Sequence, residues 1–125
     1  ALAHSGGGAF LNQEAPQASY SSFQRTAAYA PVRDGTRLAV TIYLPGGGAN
    51  GGANGVQRFP VLLWYHPGHR ESIDLATGQI RTTMAPSDIA WFTSHGYAIA
   101  IAEMRGSGAS FGVRELDRRL MGQFA

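Results

Sequence analysis

"APSDIAWFTSHGYAIAIAEMRGSGASFG", residues 85–112, runs a helix, a strand and a glycine-rich turn together without a break. Pro86 suits a first helical position, where a missing N–H costs nothing. Ser87 and Asp88 follow in the first turn, where negative charge is favoured. Ile89, Phe92 and Trp91 supply an apolar side, and Gly96 can end the helix in the left-handed conformation. In "YAIAIAEM" (97–104) Ala alternates with Ile, as in a strand covered on both faces. Upstream, "FPVLLWY" (59–65) is a second continuous apolar run, bounded by turn signals, and reads as another strand buried on both faces. Strand, helix, strand is a βαβ unit, so the two strands should be parallel and the crossover right-handed.

Toward the amino terminus, "TRLAVTIYLP" (36–45) has period two. Leu38, Val40, Ile42 and Leu44 alternate with Arg37, Ala39, Thr41 and Tyr43, the pattern of a half-buried strand. It is separated from "TAAYAPV" by Arg33-Asp34-Gly35, and Asp-Gly is the turn chemistry of a tight hairpin. The fold class is therefore α/β, an antiparallel hairpin followed by a parallel βαβ unit. Residues 1–24 are rich in Ala, Ser, Gly and Gln without a sustained period and read as an extended or mobile arm. Residues 25–125 then form one domain. "GGGANGGANG" (46–55) is a flexible loop. A phosphate cradle would need a helix with a Lys directly after it, and neither is present. "HPGHRESIDLATGQIRTTMA" (66–85) is a long polar connection, and connections of that length are often functional. "VRELDRRLM" (113–121) suggests one or two turns of helix.

Composition narrows the function classes. All ten basic residues are Arg and they are scattered, which argues against a nucleic-acid-binding stripe. No run approaches the roughly 18 apolar residues of a membrane span. The chain has no Cys, so disulfides, thiolate nucleophiles and Cys-based metal sites are excluded. Two His near one another, without a third ligand, are a poor zinc signal, so neither metal nor cofactor is expected. The opening "ALA" fits the small-residue end of a secretory signal, which leaves the compartment open between export and cytoplasm.

Gly108-Ala109-Ser110-Phe111-Gly112 spells G-x-S-x-G, the pattern of a nucleophile elbow. The surroundings fit that role poorly. An elbow turns straight off its strand, whereas Arg105, Gly106, Ser107 and Gly108 intervene here. In α/β-hydrolases the acid and then the His follow the serine, whereas His66, His69 and His95 all precede Ser110. Ser110 as nucleophile would need His69 or His95 to reach it, with a carboxylate behind. The plainer reading is a Gly- and Ser-rich turn at the carboxyl end of a strand.

Taken together, "PVRDGTRLAVTIYLP", "FPVLLWYHP" and "DIAWFTSHGYAIAIAEMRGSGASFG" resemble, in order and spacing, the opening of the cocaine-esterase and X-prolyl dipeptidyl-peptidase group, the CocE/NonD hydrolases. The resemblance spans about residues 25–117. It implies part of an α/β-hydrolase sheet, with the 97–104 strand between the hairpin and the 59–65 strand. It also implies a serine hydrolase acting on ester or amide bonds. In that family the serine of R-G-x-G-x-S-x-G is a conformational element. The nucleophile sits on a later G-x-S-x-G, with the acid and His later still, so these residues alone should be inactive or nearly so.

The family's oxyanion hole uses a Tyr from T-P-Y after the strand that matches 59–65. The matching segment here is His66-Pro67-Gly68, so Gly68 stands in place of that Tyr. Tyr65, His66, Gly68 and His69 are the oxyanion-hole candidates, through a hydroxyl, a ring or backbone N–H groups. Glu103 replaces a family Asp, and a buried carboxylate there should pair with Arg105 or bind loop N–H groups. Two alternatives to the hydrolase reading are a non-catalytic domain that associates with another chain, and a small esterase using Ser110. An uncharged 59–65 strand at a sheet edge favours self-association or a complementary chain through those residues.

Overall fold

Asp34 and Gly35 reverse the chain between β1 (Ser22–Pro31) and β2 (Arg37–Gly46). The Asp34 carboxylate accepts the Thr36 N–H at 3.0 Å, and Gly35 takes φ +82°. The hairpin runs without a bulge from Pro31 opposite Arg37 to Ser22 opposite Gly46. The computed structural model describes residues 17–46 and 57–114. Strand β1 thus begins inside the segment expected as an arm. Just ahead of it, the Ser19 and Tyr20 N–H groups donate to the Ser94 carbonyl.

The remaining elements are β3 (Val61–His66), β4 (Glu71–Ile73), β5 (Ile80–Thr82), α1 (Pro86–Ser94) and β6 (Ala98–Glu103). The four-stranded sheet has the order β1-β2-β6-β3. Strand β6 is antiparallel to β2, with Val40 opposite Ala102, and parallel to β3, with Val61 opposite Ala98. This is the hairpin plus parallel βαβ unit expected. Helix α1 starts at Pro86, carries Asp88 in its first turn and buries Ile89. Gly96 ends it at φ +85°. Trp91 does not join the core; it is 52% exposed and stacks on His95 at 4.2 Å.

The core lies between α1 and one face of the sheet. Tyr43, Ile89, Ile99 and Ile101 form it, with Met84 and Phe92 against them. That face takes Ala39, Thr41 and Tyr43 from β2, all 2% exposed or less, while Leu44 on the other set is 38% exposed. Alternation is confined to the later part of β2, because Leu38 and Val40 are buried too, and it is Tyr43, not Ile42 or Leu44, that joins Ile89 of α1 in the core. Tyr43 fills the space opposite Ile99, its neighbour in register.

Strand β3 departs from the expectation of burial on both faces. Val61, Leu63, Trp64 and Tyr65 are all exposed. The reason is position: β3 is the outer strand, and α1 packs on β1, β2 and β6 instead. The polar connection 66–85 departs too, because it contains the antiparallel pair β4–β5, with Ser72 opposite Arg81. Its turn is built by Asp74, whose carboxylate accepts the Ala76 N–H at 2.9 Å, and by Gly78 at φ +69°. Most of the helix expected over 113–121, from residue 115 on, and most of the loop 46–55 lie outside the described residues; Val113 and Arg114 are not helical.

Candidate active site

The carboxyl ends of the parallel strands β3 and β6 bring two loops together, residues 66–70 and 104–112. Ligands in open α/β sheets collect at this end. Ser110 belongs to the second loop. Its Oγ donates to the Glu103 carbonyl at 2.8 Å and accepts the Ala39 N–H at 2.8 Å. Both bonds go to backbone, and no histidine ring is among its partners. The Phe111 N–H donates to the Arg37 carbonyl. The Arg37 guanidinium lies 4.6 Å above the Phe111 ring, a cation–π contact.

Glu103 is 2% exposed and is wrapped by this loop. Oε2 accepts the Ala109 N–H at 2.6 Å. Oε1 accepts the Arg70 N–H at 2.9 Å and lies 3.1 Å from the Arg70 guanidinium. Binding of loop N–H groups is as expected. The ion pair is not with Arg105, because that side chain leaves the loop outward and meets Asp34 at 2.6 Å. The hydrogen bond from Arg105, aided by that from Thr36, holds the Asp34 carboxyl far below its ordinary value. "RDG" and "RGSGASFG", each a weak signal alone, are thus in contact.

The 66–70 loop is fastened to the other at successive residues. The Arg105 N–H reaches the Tyr65 hydroxyl at 3.3 Å, and the Met104 N–H donates to the His66 carbonyl at 2.8 Å. The Pro67 carbonyl accepts from the Arg114 guanidinium. Within the loop, the Gly68 N–H donates to His66 Nδ1 at 3.0 Å. The neutral His66 ring therefore carries its proton on Nε2. His69 is exposed, and its carbonyl accepts from Thr83 Oγ1. The His69 N–H has no partner among the described residues. The four oxyanion-hole candidates lie within five residues, Tyr65 and His66 at the end of β3 and Gly68 and His69 on the loop after it, and Ser110 stands on the neighbouring loop.

Sequence reasoning missed the charges under this loop. Arg70 Nε donates to Thr41 Oγ1 at 2.8 Å, and Arg25 Nε donates to Glu71 Oε1 at 2.8 Å. The Tyr43 hydroxyl lies 3.5 Å from Glu71. Burial pushes the Glu71 carboxyl up, but the Arg25 hydrogen bond and charge outweigh it and leave the carboxyl below its ordinary value. Burial raises the Tyr43 hydroxyl. A cavity of about 390 Å³ opens here, lined by Arg25, His69, Arg70, Ile73, Ile80 and Glu103 among others. The sequence signal was Arg70-Glu71 side by side in the long connection, and their partners lie on other strands. Among the described residues no three His, Asp or Glu side chains group as metal ligands.

Residues 34–121 match the model of the X-Pro dipeptidyl-peptidase (S15) family. Two mycobacterial proteins named as serine esterases, from Mycobacterium bovis and Mycobacterium tuberculosis, are each 27% identical over 113 residues, covering 82% of this chain. The chain spans only 17% of the length of either. Among solved structures, an aminopeptidase from a marine sediment Thaumarchaeota archaeon superposes with a TM-score of 0.53 at 22% identity, over 85% of this chain and 16% of its own. A selenomethionine-labelled α-amino acid ester hydrolase does so with a TM-score of 0.53 at 24% identity, over 83% and 16%. These two likenesses establish the sheet as that of the α/β-hydrolase type.

Proposed function

The chain belongs to the X-Pro dipeptidyl-peptidase (S15) family, and from that premise we propose that it forms the opening part of a serine hydrolase acting on ester or amide bonds, with Tyr65–His69 on the oxyanion side of the site. The observation that carries this is the fastening of the 66–70 loop to the 104–114 segment at the carboxyl end of β3 and β6. Donors that stabilise a developing oxyanion must be held before the reaction begins. The His69 N–H and His66 Nε2–H are suited to that work. The Gly68 N–H is already engaged by His66. Tyr65 has a hydroxyl at the right end of its strand, with Arg105 donating to it.

In this reading the serine of the later G-x-S-x-G that the resemblance implies, which is not among these 125 residues, attacks the acyl carbon. A histidine takes its proton, and the 66–69 donors receive the charge on the carbonyl oxygen. Collapse expels the alcohol or amine, and water releases the acid. Ser110 is a strut, since its hydroxyl is spent on two backbone groups. A second reading, association through β3 with another copy or a complementary chain, is favoured by the exposure of Val61, Leu63 and Tyr65 on an outer strand.

Hydrolysis of p-nitrophenyl esters and labelling by a fluorophosphonate test the assignment. The 125-residue chain alone should neither turn over nor label, whereas the full-length protein should do both. Ser110→Ala should leave labelling intact. Labelling of the short chain that disappears in a folded Ser110→Ala variant would transfer the nucleophile to Ser110.

A further inference from the structure

Glu103 does more than fill a buried position. Its two oxygens face two different loops. Oε2 holds Ala109 of the loop after β6, and Oε1 holds the backbone and side chain of Arg70. Arg70 directly follows His69, whose N–H has no partner among the described residues. On the other side of His69, the Gly68 N–H is tied to His66. The His69 peptide is therefore clamped at both flanks, by a ring nitrogen before it and by a carboxylate after it. Gly108 completes the fit: a Cβ there would stand 2.4 Å from Glu103 Oε2, so the loop closes on the carboxylate only because that residue has no side chain.

We propose that Glu103 is a positioning residue, which fixes the His69 N–H as an oxyanion donor by holding Arg70 against the loop after β6. The proposal rests on the reading of residues 65–69 as the oxyanion side. A carboxylate suits the task because both of its oxygens accept, so it can hold two N–H groups on opposite sides at once. An amide of the same shape cannot. Whichever way its group is turned, its NH₂ meets either the Ala109 N–H or the Arg70 N–H, and one clamp opens. A shift of about 1 Å in a donor at a reacting centre costs about 100-fold in rate.

The test compares wild type with Glu103→Gln in the full-length protein, by amide hydrogen exchange and by ester kinetics. The expected result is faster exchange at Arg70 or Ala109, a kcat lowered about 10- to 100-fold and a KM within about twofold, since an oxyanion donor acts in the transition state and not on bound substrate. A folded variant with unchanged kcat, or with unchanged exchange at both amides, overturns the proposal. So does a fall in kcat/KM carried by KM. Wild-type protein that is folded yet inactive on every ester and amide tried overturns the hydrolase reading itself, a result distinct from an active enzyme indifferent to Glu103.

Discussion

Replacing Gly108 by Ala should destabilise the protein far more than the same change at a glycine with open space around it. Gly108 has φ +53°, and a left-handed alanine costs about 1–2 kcal/mol. The new Cβ would also lie 2.4, 2.5 and 2.6 Å from Oε2, Cδ and Oε1 of Glu103. The carboxylate is 2% exposed and has no free direction in which to retreat without leaving Ala109 or Arg70. Losing one hydrogen bond to a charged group removes about 1.5–3 kcal/mol. The total is about 2.5–5 kcal/mol, which for a domain of this size lowers Tm by about 10 °C or more. Gly78→Ala is the control, because Gly78 has φ +69° and nothing within 4 Å of its built Cβ. It should cost only the backbone share. Urea and thermal unfolding of both variants measure the difference. In a Glu103→Ala background the clash is gone, and Gly108→Ala should fall to the cost of the control. If the two glycine variants cost the same within about 0.5 kcal/mol, the packing of the loop on the Glu103 carboxylate is wrong.

Three further outcomes are expected. Ser110→Ala leaves the buried Ala39 N–H without its acceptor and should cost about 1–3 kcal/mol by urea unfolding; a change under about 0.5 kcal/mol would refute its role as a strut. The Asp34, Glu71 and Asp74 carboxyls all lie below their ordinary values, so their contributions are complete above those values of 3.8 to 4.5 and are lost as pH falls beneath them. Arg25→Gln removes the strongest lowering influence on Glu71 and leaves burial opposed by Thr41 and Arg70 alone, so it should move the acid-unfolding midpoint, followed by circular dichroism, to higher pH by up to about one unit; a midpoint that stays or falls contradicts the pairing. Leu63→Lys places a charge on the outer strand at a side chain 70% exposed. It should abolish concentration-dependent association in sedimentation while changing stability by no more than about 0.5 kcal/mol, and a wild-type chain that is monomeric at every concentration removes the association reading.

Local chemistry alone determined most of the elements. Asp34-Gly35 makes a hairpin turn whatever surrounds it, and Pro86 and Gly96 bracket a helix because of their own backbone limits. The Ala–Ile alternation of residues 98–101 is apolar on both sides and reads as a strand. The order of strands was legible too, through a resemblance carried by several motifs in sequence. Burial was not legible, because it belongs to neighbours and not to a segment. "VLLWY" has the composition of a covered strand; at the edge position that the resemblance implied, and with α1 packed elsewhere, it is exposed. In β2 both alternating sets are buried over residues 38–41, and only the placement of α1 brings Tyr43 into the core cluster while Leu44 stays exposed. The four oxyanion candidates were readable as neighbours in sequence. Their fastening was not: Glu103 takes Arg70, 33 residues away, while Arg105, two residues away, turns to Asp34. An ion pair forms where the fold leaves a carboxylate and a guanidinium the same small space away from water. That space here is made by β2, β6 and two loops that meet only when the sheet is complete.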